Sequence, residues 1–202
     1  MRIALLLFLL ALSFPLAGQA DSSYLSGISQ HRQQYARDLI TGERAPLTAS
    51  DTAYLDFFPP DPRYKVLADF IPTPEAEPFD MPTSSGKTKT FVQHGWLQFA
   101  LGEDTLRLAV YRNLMLQQME IYKNHLFLPF KDWSNGENTY GGGRYLDLSL
   151  LDIVESRIAI DFNLAYNPYC AFSEGYNCPI PPSVNHLNYS IEAGEKDFIK
   201  EH

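Results

Sequence analysis

The side chains best suited to bind or react cluster between Tyr140 and His186. Three consecutive glycines, Gly141 to Gly143, cost backbone entropy and are useful only where φ is positive or another group comes close. Arg144 follows them at the start of an alternating run, on the same side as Leu146 and Leu148. A guanidinium on an apolar face needs an anion, either a ligand carboxylate or phosphate or an internal acid stapling two strands, for which Asp161 is the expected partner. Alternation from Ile158 to Leu164 places Asp161 and Asn163 opposite Ile158, Ile160, Phe162 and Leu164. A carboxylate and an amide on one face suit a hydrolase, with Asp161 as base and Asn163 or Arg144 stabilising developing negative charge. No nucleophile accompanies them. Asn163 and Asn167 fit turn chemistry equally well, since Asn167-Pro168 is a strong turn signal.

A binding role takes the same region differently. Tyr140, Tyr166 and Tyr169, with Arg144 and Asn167, can line a small-molecule pocket between the Gly-rich turn and the Asn-Pro-Tyr-Cys loop, because such pockets combine aromatic walls with a few fixed polar groups. Its ligand would be small, and neutral or anionic if Arg144 is free. Cys170 and Cys178 are the only cysteines. In an oxidising compartment they are expected to form a disulfide, whose short loop contributes about 2.5 kcal/mol in the chain-entropy model. The alternative is a metal site of Cys170, Cys178 and His186, completed by His94 or His125, but Cys-x7-Cys matches no standard zinc spacing. No cofactor is expected. Gly86-Lys87-Thr88 has Met81 where a phosphate-binding loop needs its first glycine, so it is a chance match.

These residues must be positioned mainly by strands. Period-two runs occupy Tyr64 to Phe70, Thr90 to Leu101, Thr105 to Tyr111, Leu126 to Phe130, Tyr145 to Leu150, Arg157 to Leu164 and Leu187 to Glu192. Gly102-Glu103-Asp104 turns the second run into the third. Pro72 to Pro82 reads as an extended loop. Ser22 or Ser23 can cap a helix from Tyr24 to Ile40, its apolar stripe of Leu25, Ile28, Tyr35 and Leu39 broken by Arg32. The expected fold is mainly β, an antiparallel sandwich or small barrel with an N-terminal α-helix. Residues 21–55 would pack as a helical segment on a β-rich domain spanning 56–202.

Arg2, the apolar run Ile3 to Leu12, and Gly18-Gln19-Ala20 read as a signal peptide, residues 1–20, cleaved before Asp21. Its apolar run falls short of the ~20 residues that span a bilayer, so no stable membrane anchor is expected. The protein is thus expected to be soluble and exported to the periplasm or beyond. With 24 acidic against 16 basic residues, it offers nucleic acid no electrostatic footing. Protein partners are not legible from the sequence.

The string Phe130-Lys131-Asp132, Asn135-Gly136-Glu137 and Thr139 to Tyr145, followed by Asp161-Phe162-Asn163, Ala165 to Ala171, Cys178-Pro179, Pro181-Pro182 and Ala193 to Lys196, resembles the bacterial domain-of-unknown-function family 1684. Phe57-Phe58-Pro59 and Tyr64 resemble its short exported members. The departure is Val184 before Asn185, where the family usually has an acidic residue. The resemblance implies a bacterial source and a Gly-rich strand and Asn-Pro-Tyr-Cys loop acting as one unit. It implies no activity.

Overall fold

The computed structural model describes residues 17–200. The expected signal peptide lies outside them, except for Ala17 to Ala20 at the start of helix α1 (Ala17–Asp38). The helix begins before Ser22 and Ser23, so neither is its N-cap. Among the described residues no helix is long and apolar enough to cross a membrane.

Seven strands follow: β1 (Lys65–Pro72), β2 (Phe79–Pro82), β3 (Thr88–Leu101), β4 (Asp104–Asn113), β5 (His125–Phe130), β6 (Arg144–Ser149) and β7 (Arg157–Asp161). They form one antiparallel sheet in the order β6-β5-β4-β3-β1-β7, with β2 paired to β3, curled into a half-barrel. The β3–β4 hairpin turns through Gly102 at φ +63°, a left-handed conformation that glycine adopts freely. After β7 the chain reaches across to β6, where Tyr145 N donates to Tyr166 O at 2.9 Å and Tyr166 N returns a bond to Tyr145 O at 3.0 Å. That pair of bonds draws the two edges of the half-barrel together.

Alternation gives the sheet two apolar faces. Leu97, Phe99, Leu108, Val110, Leu126, Leu128, Leu146, Ile158 and Ile160 fill the principal core with Phe130 and Phe162. The intervening residues Phe91, Ala109, Tyr111, Phe127 and Tyr145 build a second cluster with Met81 on the opposite face. Burial of each large side chain contributes about 1.5–3 kcal/mol, and both faces are therefore committed to one register.

Three expectations change. Pro72 to Pro82 contains β2, which pairs through Met81↔Lys89 and buries Met81; Pro82 is tolerated because it ends the strand. The run after Ile158 stops being a strand at Asp161, whose side chain accepts from Asn163 N and starts a 3-10 turn over Phe162–Leu164. Leu187 to Glu192 is not a strand. It crosses the principal core as an extended strap, bonded to the loop after β5 through Leu187 N to Lys131 O (2.8 Å) and Trp133 N to Tyr189 O (2.9 Å).

Arg32 does not interrupt the docking of α1 but makes it. Its guanidinium lies 4.6 Å from the Phe57 ring centroid and donates to Phe58 O at 3.0 Å, beside buried Ile28 and Leu39.

The glycine triplet divides its work. Gly143 has φ +95°, and an added Cβ would fall 2.6 Å from Phe130 O; at Gly142 the obstacle is the Tyr140 ring at 2.2 Å. Gly143→Ala is expected to cost about 1–3 kcal/mol, since strain and a backbone clash combine. Urea denaturation measures it, and a loss indistinguishable from zero would contradict this packing.

Candidate functional site

Arg144 starts β6 facing the principal core, as its spacing predicts, but its partner is Asp132 and not Asp161. Arg144 Nη2 lies 2.9 Å from Asp132 Oδ2, with both side chains fully buried. The guanidinium also donates to the carbonyls of Ile191, Ala193 and Glu195, alternate residues at the end of the strap and just beyond it. Asp132 Oδ1 accepts from Ser134 N at 2.9 Å and Ile191 N at 3.2 Å. Burial pulls the Arg144 pKa down and Asp132 opposes it. The pair ties the loop after β5 to the strap, and no face of the guanidinium remains open to a ligand.

Asp161 and Asn163 are brought together, but as a structural knot. Asn163 is buried; its Nδ2 donates to Asp161 Oδ1 (3.0 Å), Asp61 O (2.8 Å) and Tyr24 Oη (2.9 Å), while its Oδ1 accepts from Asp61 N (2.8 Å). Tyr24 Oη donates to Asp161 Oδ2 at 3.0 Å, which leaves the carboxylate holding α1 to the sheet. Burial, then Asp161, raises the Tyr24 pKa well above the ordinary tyrosine value. Asn167 is equally buried, its N bonded to Glu195 Oε2 (2.7 Å) and its Nδ2 to Lys196 O (2.7 Å).

The open site lies on the second face of the sheet. Alternation in β6 turns Tyr145 and Asp147 away from Arg144, and the register Phe127↔Asp147 and His125↔Ser149 makes His125 and Asp147 diagonal neighbours. His125 Nε2 meets Asp147 Oδ1 at 2.7 Å. A bond to a carboxylate calls for a proton on Nε2. Tyr166, delivered by its backbone pairing with Tyr145, donates to Asp147 Oδ2 at 2.8 Å. Burial, then Asp147, raises its pKa well above 10.0, so it remains a donor.

Around this chain of groups opens a cleft of about 630 Å³. Helix α1 supplies His31, Gln34, Tyr35 and Asp38 to one wall, and β3 supplies Lys89 and Phe91. The Cys170–Cys178 loop supplies Tyr169, Tyr176 and Pro179 to another. The disulfide fixes that loop with Cα atoms 6.2 Å apart. Tyr145 Oη donates to Pro179 O and pins it to the sheet. Burial, then Arg32, lowers the His31 pKa and keeps its imidazole neutral near pH 7.

Of the sequence candidates, Tyr166 and Tyr169 line this cleft; Tyr140 packs over Gly142 and lies outside the lining. Both cysteine sulfurs are bonded to each other, and His186 bonds instead to Pro181 O at 3.1 Å. No group of ligands suited to a metal exists among the described residues. His94 stacks on Phe70, with ring centroids 5.5 Å apart. Of His31, His125 and Asp147, the sequence offers only His125, and that as a metal ligand completing Cys170, Cys178 and His186. The alternation of β6 already placed Asp147 beside Tyr145 and opposite Arg144, which is the signal that could have singled it out.

Fold and site together define a curled antiparallel half-barrel, latched by a helix and a disulfide loop, with an aromatic cleft on one face. The family model described as Protein of unknown function (DUF1684) matches residues 51–196, and the chain belongs to that family. It is similar to the uncharacterized protein from gene locus rrnAC0354 of Haloarcula marismortui, whose structure was solved by solution NMR. The two are 30% identical, the match covers 88% of this chain and 96% of that one, and the TM-score is 0.67. Comparison with curated proteins gives no match.

Proposed function

We propose that this protein is an exported module that binds a small molecule in the cleft between the second sheet face, α1 and the Asn-Pro-Tyr-Cys loop. One observation carries the proposal: a cavity of about 630 Å³ with aromatic walls holds a carboxylate, Asp147, fixed from two sides by His125 and Tyr166. Preorganised polar groups inside an apolar concavity are what small-ligand sites use for orientation. Export is supported by the leader pattern of residues 1–20 and by the disulfide, which an oxidising compartment preserves.

Two measurements test the two halves of the proposal. Intact mass of protein from its native host should show a chain beginning at Asp21 and two hydrogens lighter than the reduced form; a chain that retains residues 1–20 overturns export. A screen of small aromatic compounds by chemical-shift perturbation should concentrate its shifts on His31, His125, Tyr166 and Tyr169. Asp147→Asn is expected to weaken the compounds found by about tenfold, because it removes the charge that orders His125 and Tyr166. Shifts that avoid the cleft would remove it as the binding site.

A further inference from the structure

The ionic inventory of the cleft is unequal. Its two carboxylates are engaged: Asp147 by His125 and Tyr166, and Asp38 by the Gln34 amide at 2.7 Å. Its two basic side chains, Lys89 and Arg44, form no ion pair among the described residues. The ion pairs of the described residues use Arg63, Lys123, His125, Arg144, Arg157, Lys196 and Lys200, and neither Lys89 nor Arg44 is among them. Arg44 donates to Gly175 O at 3.2 Å and lies over the Tyr176 ring, 5.4 Å from its centroid, which fixes it against the disulfide loop. Lys89 projects from β3 on the face of Phe91, and burial alone lowers its pKa, with no carboxylate opposing. Lys89 and Arg44 are both exposed and both line the cleft, so each can meet an anionic group that enters it.

The remaining walls are flat. Phe127, Tyr145, Tyr166 and Tyr169 line the cavity, and Phe127 and Tyr145 meet edge to face with centroids 4.8 Å apart. Such walls favour a ring inserted among them. We propose that the ligand is an aromatic carboxylate, its ring held by these side chains and its anionic group by Lys89 and Arg44. The assignment rests on the cleft being the ligand site.

The experiment compares benzoate with benzamide, its neutral analogue of equal shape, by chemical-shift titration of the full mature protein. Benzoate is expected to bind about tenfold more tightly. That preference should shrink in high salt, because it arises from partly exposed charges. Lys89→Met and Arg44→Met should each reduce it, and Lys89→Arg should retain it, which separates charge from fold. Equal binding of the two probes in the cleft overturns the anion assignment and leaves the cleft as the ligand site. If neither probe perturbs the cleft, the failure lies with the site itself and both readings fall. A benzoate preference that survives both methionine substitutions overturns the roles of Lys89 and Arg44.

Discussion

Arg144→Ala is expected to destabilise the domain by about 3–5 kcal/mol, the usual consequence of leaving one member of a buried ion pair without the other. Asp132 would remain in a fully buried position with no cation, and the carbonyls of Ile191, Ala193 and Glu195 would lose their shared donor. Against a typical total of ~5–15 kcal/mol, that loss is large enough to populate the unfolded chain. Arg144→Lys should recover only part of it, because a single ammonium cannot reach the carboxylate and three carbonyls with the geometry of a planar fork. Asp132→Asn in the Arg144→Met background should also recover part, since the amide no longer carries an uncompensated charge. The measurement is urea denaturation followed by circular dichroism. A loss below about 1 kcal/mol for Arg144→Ala would mean that the strap is held by its apolar contacts alone.

The second large effect belongs to Glu195. This carboxyl is buried; its Oε2 accepts from Asn167 N at 2.7 Å and from Tyr35 Oη at 2.8 Å, while Oε1 and the buried Asn167 Oδ1 have no donor among the described residues. Burial pushes its pKa up to about 8, against the lowering effects of Asn167, Tyr35 and Arg144. In the unfolded chain the same group ionises near 4.5, so between about 4.5 and about 8 the folded state holds a proton that the unfolded state has released. Stability must therefore fall as pH rises through that window, with a slope of at most about 1.4 kcal/mol per unit from this group. Glu195→Gln keeps the shape, carries no charge and offers a donor where Oε1 has none. Its expected result is loss of this slope and a gain of a few kcal/mol at pH 8 relative to the parent. Denaturation curves collected from pH 5 to pH 9 decide the matter; parallel profiles for parent and variant would show that Glu195 folds ionised.

Arg144, Asp132, Asn163, Asn167 and Glu195 are all buried and all engaged in bonds between distant segments. They are the ties of the half-barrel, and the cleft is built on the other side of the same strands.

Alternation along each strand was enough to place Arg144 with Leu146 and to turn Tyr145 and Asp147 to the opposite face, because successive residues of an extended chain must point to opposite sides. The hairpin at Gly102, the helix through Ile28 and Tyr35, and the pairing of the only two cysteines follow equally from local chemistry. Periodicity names the face of a residue but never the residue across from it. Arg144 and Asp161 lie on opposite edge strands, β6 and β7, and Asp132 arrives from a loop that carries no periodic signal. The extended segment from Leu187 to Glu192 looks like a strand locally, yet its Ile191 carbonyl, like those of Ala193 and Glu195 just beyond it, is taken by a side chain and not by a neighbouring strand. Likewise, His31, His125, Asp147 and Tyr166 become one site only because helix docking, strand register and closure of the half-barrel bring together positions far apart in the chain. Sequence thus determined most of the elements and the faces they present; the tertiary structure decided the partners, and with them β2 and the strap, since those depend on contacts between segments that no local pattern encodes.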